Sequence, residues 1–269
     1  MNKFDKKIFG TLFFAIFGTV TGVGIVVPLL PIYAHNLGAT GLYIALIFGA
    51  FSLSRTFLLP YFGKLSDKKG RKPIIIAGLL AYALVSMAFI LARNVEALIA
   101  LRFLQGIASA MIMPATQAYI GDITPSGREG TTMGLFNMSM FTGLSIGPLI
   151  GGVINDRFSL DTSFACMAFL AFAGFLLCYF LLPPTRSEKV VGSGKASTDW
   201  KWLLYDRDMA GMFLFRMAYA ACIGVIWSFL PILADSEFSL SSSSIGGLVT
   251  LGVFFSGLMH LPMVFWLTG

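Results

Sequence analysis

Arg102, Gln105 and Gly106 fall three and four residues apart inside an uncharged apolar run from about 97 to 120, so on a helix they share one face. A guanidinium held in lipid costs at least about 2.5 to 3.5 kcal/mol on insertion scales. Such an expense usually marks a polar cavity, and snorkelling toward the headgroups from the start of the run is the structural alternative. A second group is Gly63-Lys64-Leu65-Ser66-Asp67-Lys68-Lys69-Gly70-Arg71-Lys72-Pro73, a short basic loop between two apolar runs. Its Asp67 and Arg71 are four residues apart and can pair with each other or reach neighbouring helix ends. Asp122, at the end of the run that holds Arg102, is a candidate partner for Arg71. Gly63 permits two helices to approach closely, and the lysines read as a solvated face that sets orientation. In a third group, Gly143, Gly147 and Gly151 recur every four residues with Pro148 and Gly152 among them. They predict a tightly packed helix face that can bend at the proline, although ordinary small-residue packing produces the same spacing.

Other residue types narrow the chemistry by what they lack. Arg55 and Arg216 also lie within apolar runs but belong to no recognisable block, so pairing or snorkelling accounts for them as well as function does. All 13 acids fall in loops or at the ends of apolar runs. No mid-membrane carboxylate is therefore at hand to carry a proton, and the carrier is a loop-edge acid such as Asp122, lies elsewhere, or does not exist. His35, in an outer loop, and His260 have no ligand cluster around them, and no phosphate-binding loop marks an ATP-driven pump. Cys166, Cys178 and Cys222 sit in apolar runs as core filler, without disulfide or metal spacing. No enzyme site, metal site or cofactor is expected.

The elements that must position these groups follow from composition. With 57% hydrophobic and 12% charged residues and a mean hydropathy of +0.82 over 269 residues, the chain has too little polar surface to coat a soluble globule, so the lipid bilayer must cover much of it. Uncharged runs of roughly 20 residues, enough to span, recur near 8–33, 42–62, 74–92, 97–120, 132–153, 163–183, 209–233 and 244–267. The first reads as a retained helix, because no small-residue cleavage site follows it. Counted by side, fourteen Lys and Arg lie in the N-terminal segment and in the loops after spans two, four and six, against only Arg93 and Arg157 opposite. That imbalance places the N-terminus in the cytoplasm. The net charge of +6 therefore sets topology, and without an aromatic-basic module it does not indicate nucleic acid.

The segment 184–208, with Pro183-Pro184, a Val-Gly-Ser-Gly stretch and several charges, predicts a cytoplasmic linker. It divides the chain into a six-helix bundle over 1–183 and two further helices over 209–269. Leu30-Pro31-Ile32-Tyr33-Ala34 recurs as Leu230-Pro231-Ile232-Leu233-Ala234, and Leu59-Pro60 as Leu261-Pro262, which reads as a duplication. Were the second half to mirror the first, four more spans would follow Gly269, and the second bundle is expected to be incomplete.

Gly63, Asp67, Gly70, Arg71 and Lys72 between the second and third spans resemble the signature loop of the major facilitator superfamily. Gly143-Leu144-Ser145-Ile146-Gly147-Pro148-Leu149-Ile150-Gly151-Gly152 matches the GxxxGPxxGG pattern that in this superfamily accompanies drug:proton antiporters. The resemblance implies an all-α polytopic bundle of the major facilitator type and a secondary transporter working by alternating access. It implies a small-molecule substrate, with export of drugs or amphiphilic solutes and protons as the candidate coupling ion. It also implies a gating loop at Gly63, Asp67, Gly70, Arg71, Lys72 and Asp122, coupling or substrate handling by Arg102, Gln105 and Gly106, and a seam at Gly143, Gly147, Pro148, Gly151 and Gly152 that seals the cavity. Residence in the plasma membrane is expected. The alternatives are a sugar or metabolite importer of the same superfamily and an inactive, truncated membrane protein.

Overall fold

The computed structural model describes residues 3–184 and 207–267, with side chains at 5–184 and 209–255. The linker's Arg186, Lys189, Lys195 and Lys201, together with His260, Leu261 and Pro262, lie outside those described side chains. Every regular element among the described residues is a helix: α1 (Lys3–Val26), α2 (Leu29–Asn36), α3 (Gly41–Lys69), α4 (Arg71–Ala88), α5 (Val95–Ile123), α6 (Glu129–Arg157), α7 (Leu160–Leu181), α8 (Arg207–Ser236) and α9 (Ser242–Leu267), with a 3-10 turn at Phe89–Leu91. Seven stretches among the described residues are long and apolar enough to cross a membrane.

The helices run past the apolar runs that announce them, because backbone hydrogen bonds continue into the polar ends once the span leaves lipid. α3 extends to Lys69 and α5 to Ile123, so the basic stretch expected as a loop is almost wholly helical. Its one break is Gly70, at φ +94°, a conformation open to glycine. His35, expected in an outer loop, is in the last turn of α2. The first span is itself divided at Val27 and Pro28, where proline cannot donate to the helical ladder. Tyr33 donates to Ala92 O at 2.6 Å and so fixes α2 to the turn that follows α4.

Elsewhere caps set the starts. The Asn94 side chain accepts from Ala97 N at 2.8 Å to begin α5, and Ser159 Oγ accepts from Thr162 N at 3.2 Å to begin α7. In the first half α1 packs on α6 and α7, α3 on α5, and α4 on α5 and α7. Leu12, Ile16, Ile75, Leu79, Leu98, Phe136 and Phe164 are fully buried between them, and Phe89 stacks on Phe164 at 5.3 Å. α9 lies along α6, and α8 touches α2 and the start of α3.

Candidate functional site

Asp67 and Arg71 of the basic stretch meet Asp122 at the end of the bundle formed by the α3–α4 and α5–α6 connections. Ser66 is buried, donates to Gly63 O at 2.8 Å and accepts from Arg71 Nη1 at 3.0 Å. Arg71 also pairs with Asp67 through Nη1 and with Asp122 Oδ2 through Nε at 3.2 Å. One guanidinium thus joins the end of α3, the start of α4 and the end of α5. Lys72 departs from the solvated role read for the lysines: its Nζ donates to Tyr179 O at 3.0 Å and to Leu182 O, so it satisfies carbonyls left over at the end of α7. Gly63 does not serve a close helix approach, since a Cβ there would meet nothing nearer than Pro114 Cβ at 3.8 Å.

Deeper in the bundle, Arg102 is only 6% exposed, so its guanidinium does not snorkel to the surface. Nη1 donates to Gln105 Oε1 at 2.8 Å, and the charge lies over the rings of Phe51 and Phe48 at 4.7 and 5.2 Å. Gln105 in turn donates to Met167 Sδ at 3.6 Å on α7. Arg102 Nε and the buried Tyr82 hydroxyl have no hydrogen-bond partner among the described residues. Gly106 belongs to packing rather than to this polar group: a Cβ there would fall 2.0 Å from Ser54 Oγ and 2.4 Å from Phe51 O. Ser54 donates to Phe103 O at 2.8 Å, and α3 and α5 are locked together at this point. Arg55 is half-buried with its guanidinium 6.0 Å from the Phe51 ring, and Arg216 is exposed above Tyr219 at 5.6 Å.

The glycines of α6 serve two partners. Toward α1, a Cβ on Gly143 would sit 2.9 Å from Phe17 O, on Gly147 2.6 Å from Gly24 Cα, and on Gly151 2.1 Å from Ile25 O. Only a residue without a side chain fits there. Gly152 faces α9 instead, where a Cβ would lie 2.2 Å from Ser242 O, and Gly246 of α9 answers it with 2.2 Å to Pro148 O. Farther along, Thr250 Oγ1 donates to Ser145 O at 2.7 Å. Gly22 on α1 meets Met167 Cα at 3.1 Å and packs α1 on α7. The cysteines divide: Cys178 is buried and Cys166 half-buried, but Cys222 is exposed, so it is not core filler.

Sequence reasoning passed over the far end of the α6–α9 pair. Asp156 Oδ1 accepts from Ser242 N at 3.0 Å, while Oδ2 accepts from Ser243 N at 2.8 Å and from the Ser243 hydroxyl. Asn155 Nδ2 donates to Ser242 Oγ at 2.9 Å. The signal was present as the serine run Ser241 to Ser244 before an apolar stretch, a helix-start pattern, but nothing in the sequence names its distant acceptor.

Between the halves lies a cavity of about 300 Å³, bounded by Val27 and Pro28 at the α1–α2 break, Phe141 and Leu144 on α6, Tyr219, Trp227 and Pro231 on α8, and Val249 on α9. Among the described residues that line it, Tyr219 and Trp227 are the ones whose side chains carry a polar group. α8 is exposed from Gly211 to Ile226 and partly covered from Trp227 onward, where Gly41 of α3 comes within 3.7 Å of Phe229. The two halves are thus drawn together at the end where α9 begins.

Residues 12–268 match the family model for the Major Facilitator Superfamily. An uncharacterized MFS-type transporter, MJ1560, of Methanocaldococcus jannaschii is 31% identical over 255 residues, covering 93% of this chain and 66% of that protein. The quinolone resistance protein NorA of Staphylococcus aureus is 36% identical over 152 residues, 56% of this chain and 39% of NorA. The chain thus spans less than two thirds of the length of these relatives. Among solved structures, the human organic anion transporter MFSD10 superposes with TM-score 0.68 at 17% identity, covering 93% of this chain and 70% of that one. A bacterial homolog of the human lysosomal transporter Spinster, inward-facing and unoccupied, gives TM-score 0.77 at 13% identity, covering 94% and 61%. With residues 12–268 of the chain matched by the family model and the helical bundle shared with these transporters, the chain is an all-α multi-pass membrane protein and belongs to the major facilitator superfamily.

Proposed function

We propose that the chain works in secondary active transport by alternating access, exporting drug-like or other amphiphilic solutes in exchange for protons across the plasma membrane, with its N-terminus cytoplasmic. Residues 1–183 form one rocking bundle, 184–208 the linker, and 209–269 the part of the second bundle that this chain supplies. The observation that carries the reading is the cavity shared by both halves and closed off by contacts at one end. Its lining favours an amphiphile over a sugar, because a sugar needs many convergent donors and acceptors and this wall brings two polar side-chain groups. The names of NorA and MFSD10 support small organic solutes as cargo.

Arg71, held by Asp67 and Asp122, is the gate at the cytoplasmic end. Arg102 with Gln105 handles charge within the first bundle, and the α1–α6 seam seals the cavity from leakage. The test is uptake of a fluorescent amphiphilic dye into everted membrane vesicles under an imposed pH gradient. Replacing Tyr219 and Trp227 together by alanine is expected to lower the initial rate at least about tenfold, two aromatic contacts being lost. A protonophore should abolish uptake. Unaltered flux in the double variant removes the cavity as the site, and flux insensitive to the protonophore removes proton exchange.

A further inference from the structure

The start of α9 is capped by the other half of the molecule. A helix leaves its first N–H groups without internal partners, and normally a residue of the same chain segment answers them. Here Ser241 Oγ accepts from Ser244 N at 3.3 Å, as a local cap does. The N–H groups of Ser242 and Ser243 are instead both taken by the Asp156 carboxylate of α6, with the Ser243 hydroxyl as a third donor. A carboxylate at a helix N-terminus is also favoured by the helix dipole. Asn155 adds its bond to Ser242 Oγ, and Gly152 lets Ser242 come down onto the α6 backbone. By topology this end of α6 is opposite the Arg71 cluster.

We infer that Asp156 is a positioning residue that clasps the two halves shut at the end opposite the Arg71 gate, so that opening there requires α9 to surrender its cap. The inference rests on the alternating-access reading. It also follows from bonds that exist only across this interface: when the halves part, the carboxylate and the Ser242 and Ser243 N–H groups exchange their charge-assisted bonds and the favourable helix-dipole placement for water, and the closed arrangement is favoured by that difference. Gly152 on Ser242 and Gly246 on Pro148 bring backbone to backbone along α6 and α9, and among the described residues the clasp is the charged contact between the two helices at that end.

The test is a distance measurement that needs neither substrate nor gradient. Spin labels at Leu42→Cys and Phe238→Cys, both exposed on opposite halves near the clasp, are placed in a background with Cys166, Cys178 and Cys222 replaced by serine. In Asp156→Ala the ratio of long to short distances is expected to rise on the order of tenfold, the effect of losing a charge-assisted cap. Asp156→Asn keeps one acceptor oxygen and should fall between. A purely structural role for Asp156 lowers thermal stability without moving the distance ratio, and that result overturns the inference. If Asp156→Ala does not reach the membrane folded, Ser243→Ala and Asp156→Asn carry the test, and distributions identical to wild type in both overturn it. Because transport is not the readout, loss of the dye-uptake result leaves this measurement standing.

Discussion

Arg102→Met separates a functional guanidinium from a structural one. In the structure the charge makes one hydrogen bond to Gln105 at 2.8 Å and lies over two phenylalanine rings at 4.7 and 5.2 Å. A charge-assisted bond contributes about 1.5 to 3 kcal/mol and each desolvated cation–π contact about 1 to 2 kcal/mol, so the favourable contacts total about 4 to 7 kcal/mol. Against them stand an insertion cost of about 2.5 to 3.5 kcal/mol and about 1 to 3 kcal/mol for the unpartnered Nε. The two sides nearly cancel. Methionine fills much of the same volume without a charge, and its sulfur packs well against the two rings. Unfolding in detergent micelles should therefore find Arg102→Met within about 2 kcal/mol of wild type. Adding Gln105→Leu should recover about 1 kcal/mol by removing the amide oxygen left without its donor. Dye uptake, in contrast, should fall at least tenfold in both. A loss of more than about 4 kcal/mol that Gln105→Leu does not relieve would make Arg102 a structural keystone. Full transport by the methionine variant would end its assignment to charge handling.

Three further outcomes are expected. Gly151→Ala places a methyl 2.1 Å from Ile25 O, a backbone atom that cannot swing aside, and should destabilise by about 1 to 3 kcal/mol or more in thermal unfolding; a variant as stable as wild type removes the tight α1–α6 seam. Arg71→Lys keeps the charge but loses the fork that reaches Asp67, Ser66 and Asp122 together. Transport should drop severalfold with stability changed by less than about 1 kcal/mol, since the acids are about half exposed, 48% and 52%, and unchanged transport removes the gate. An impermeant amine-reactive label applied to intact cells should leave Lys68 unmodified, and labelling there would invert the assigned orientation.

How much was legible depended on whether the deciding contact was local. The first seven spans followed from apolar run lengths, because burial in lipid acts residue by residue; of the eighth, the helix α9 is described with side chains only to Phe255, and the expected linker lies outside the described residues. The Gly143, Gly147 and Gly151 face was legible because helical spacing alone brings such residues together, whereas the Asp67–Arg71 pair was legible from nearness in sequence and forms across the Gly70 break between α3 and α4. Helix ends were not: the polar tail of α3 and the end of α5 at Asp122 remain helical outside the apolar run, and hydropathy is blind to that. The partners of Lys72, a residue named in the gating loop, and the whole role of Asp156 escaped the sequence for another reason. Each satisfies the end of a helix from a distant segment, Lys72 on α7 and Asp156 on α9, and only the folded arrangement supplies those partners. Gly63 and Gly106 show the reverse error, since a small residue in a named block says nothing of which neighbour it meets.

The two faces of α6 differ in a way that bears on how the halves can move. Toward α1, Gly143, Gly147 and Gly151 bring backbone against backbone over more than two turns, and neither helix can slide without collision. α6 therefore moves with the first bundle. Toward α9 the contact is also made by small residues, Gly152 on Ser242 and Gly246 on Pro148, but its polar bonds, apart from Thr250 to Ser145, gather at Asn155 and Asp156. On both faces the approach leaves no room for a Cβ; the α9 face differs in that a carboxylate ties it at one end, and separation there must first exchange those bonds for water. Under the proposed alternating access, parting on the α9 side therefore waits on Asp156, and Pro148, whose missing donor weakens the α6 ladder, lies against Gly24 of α1 on one side and Gly246 of α9 on the other.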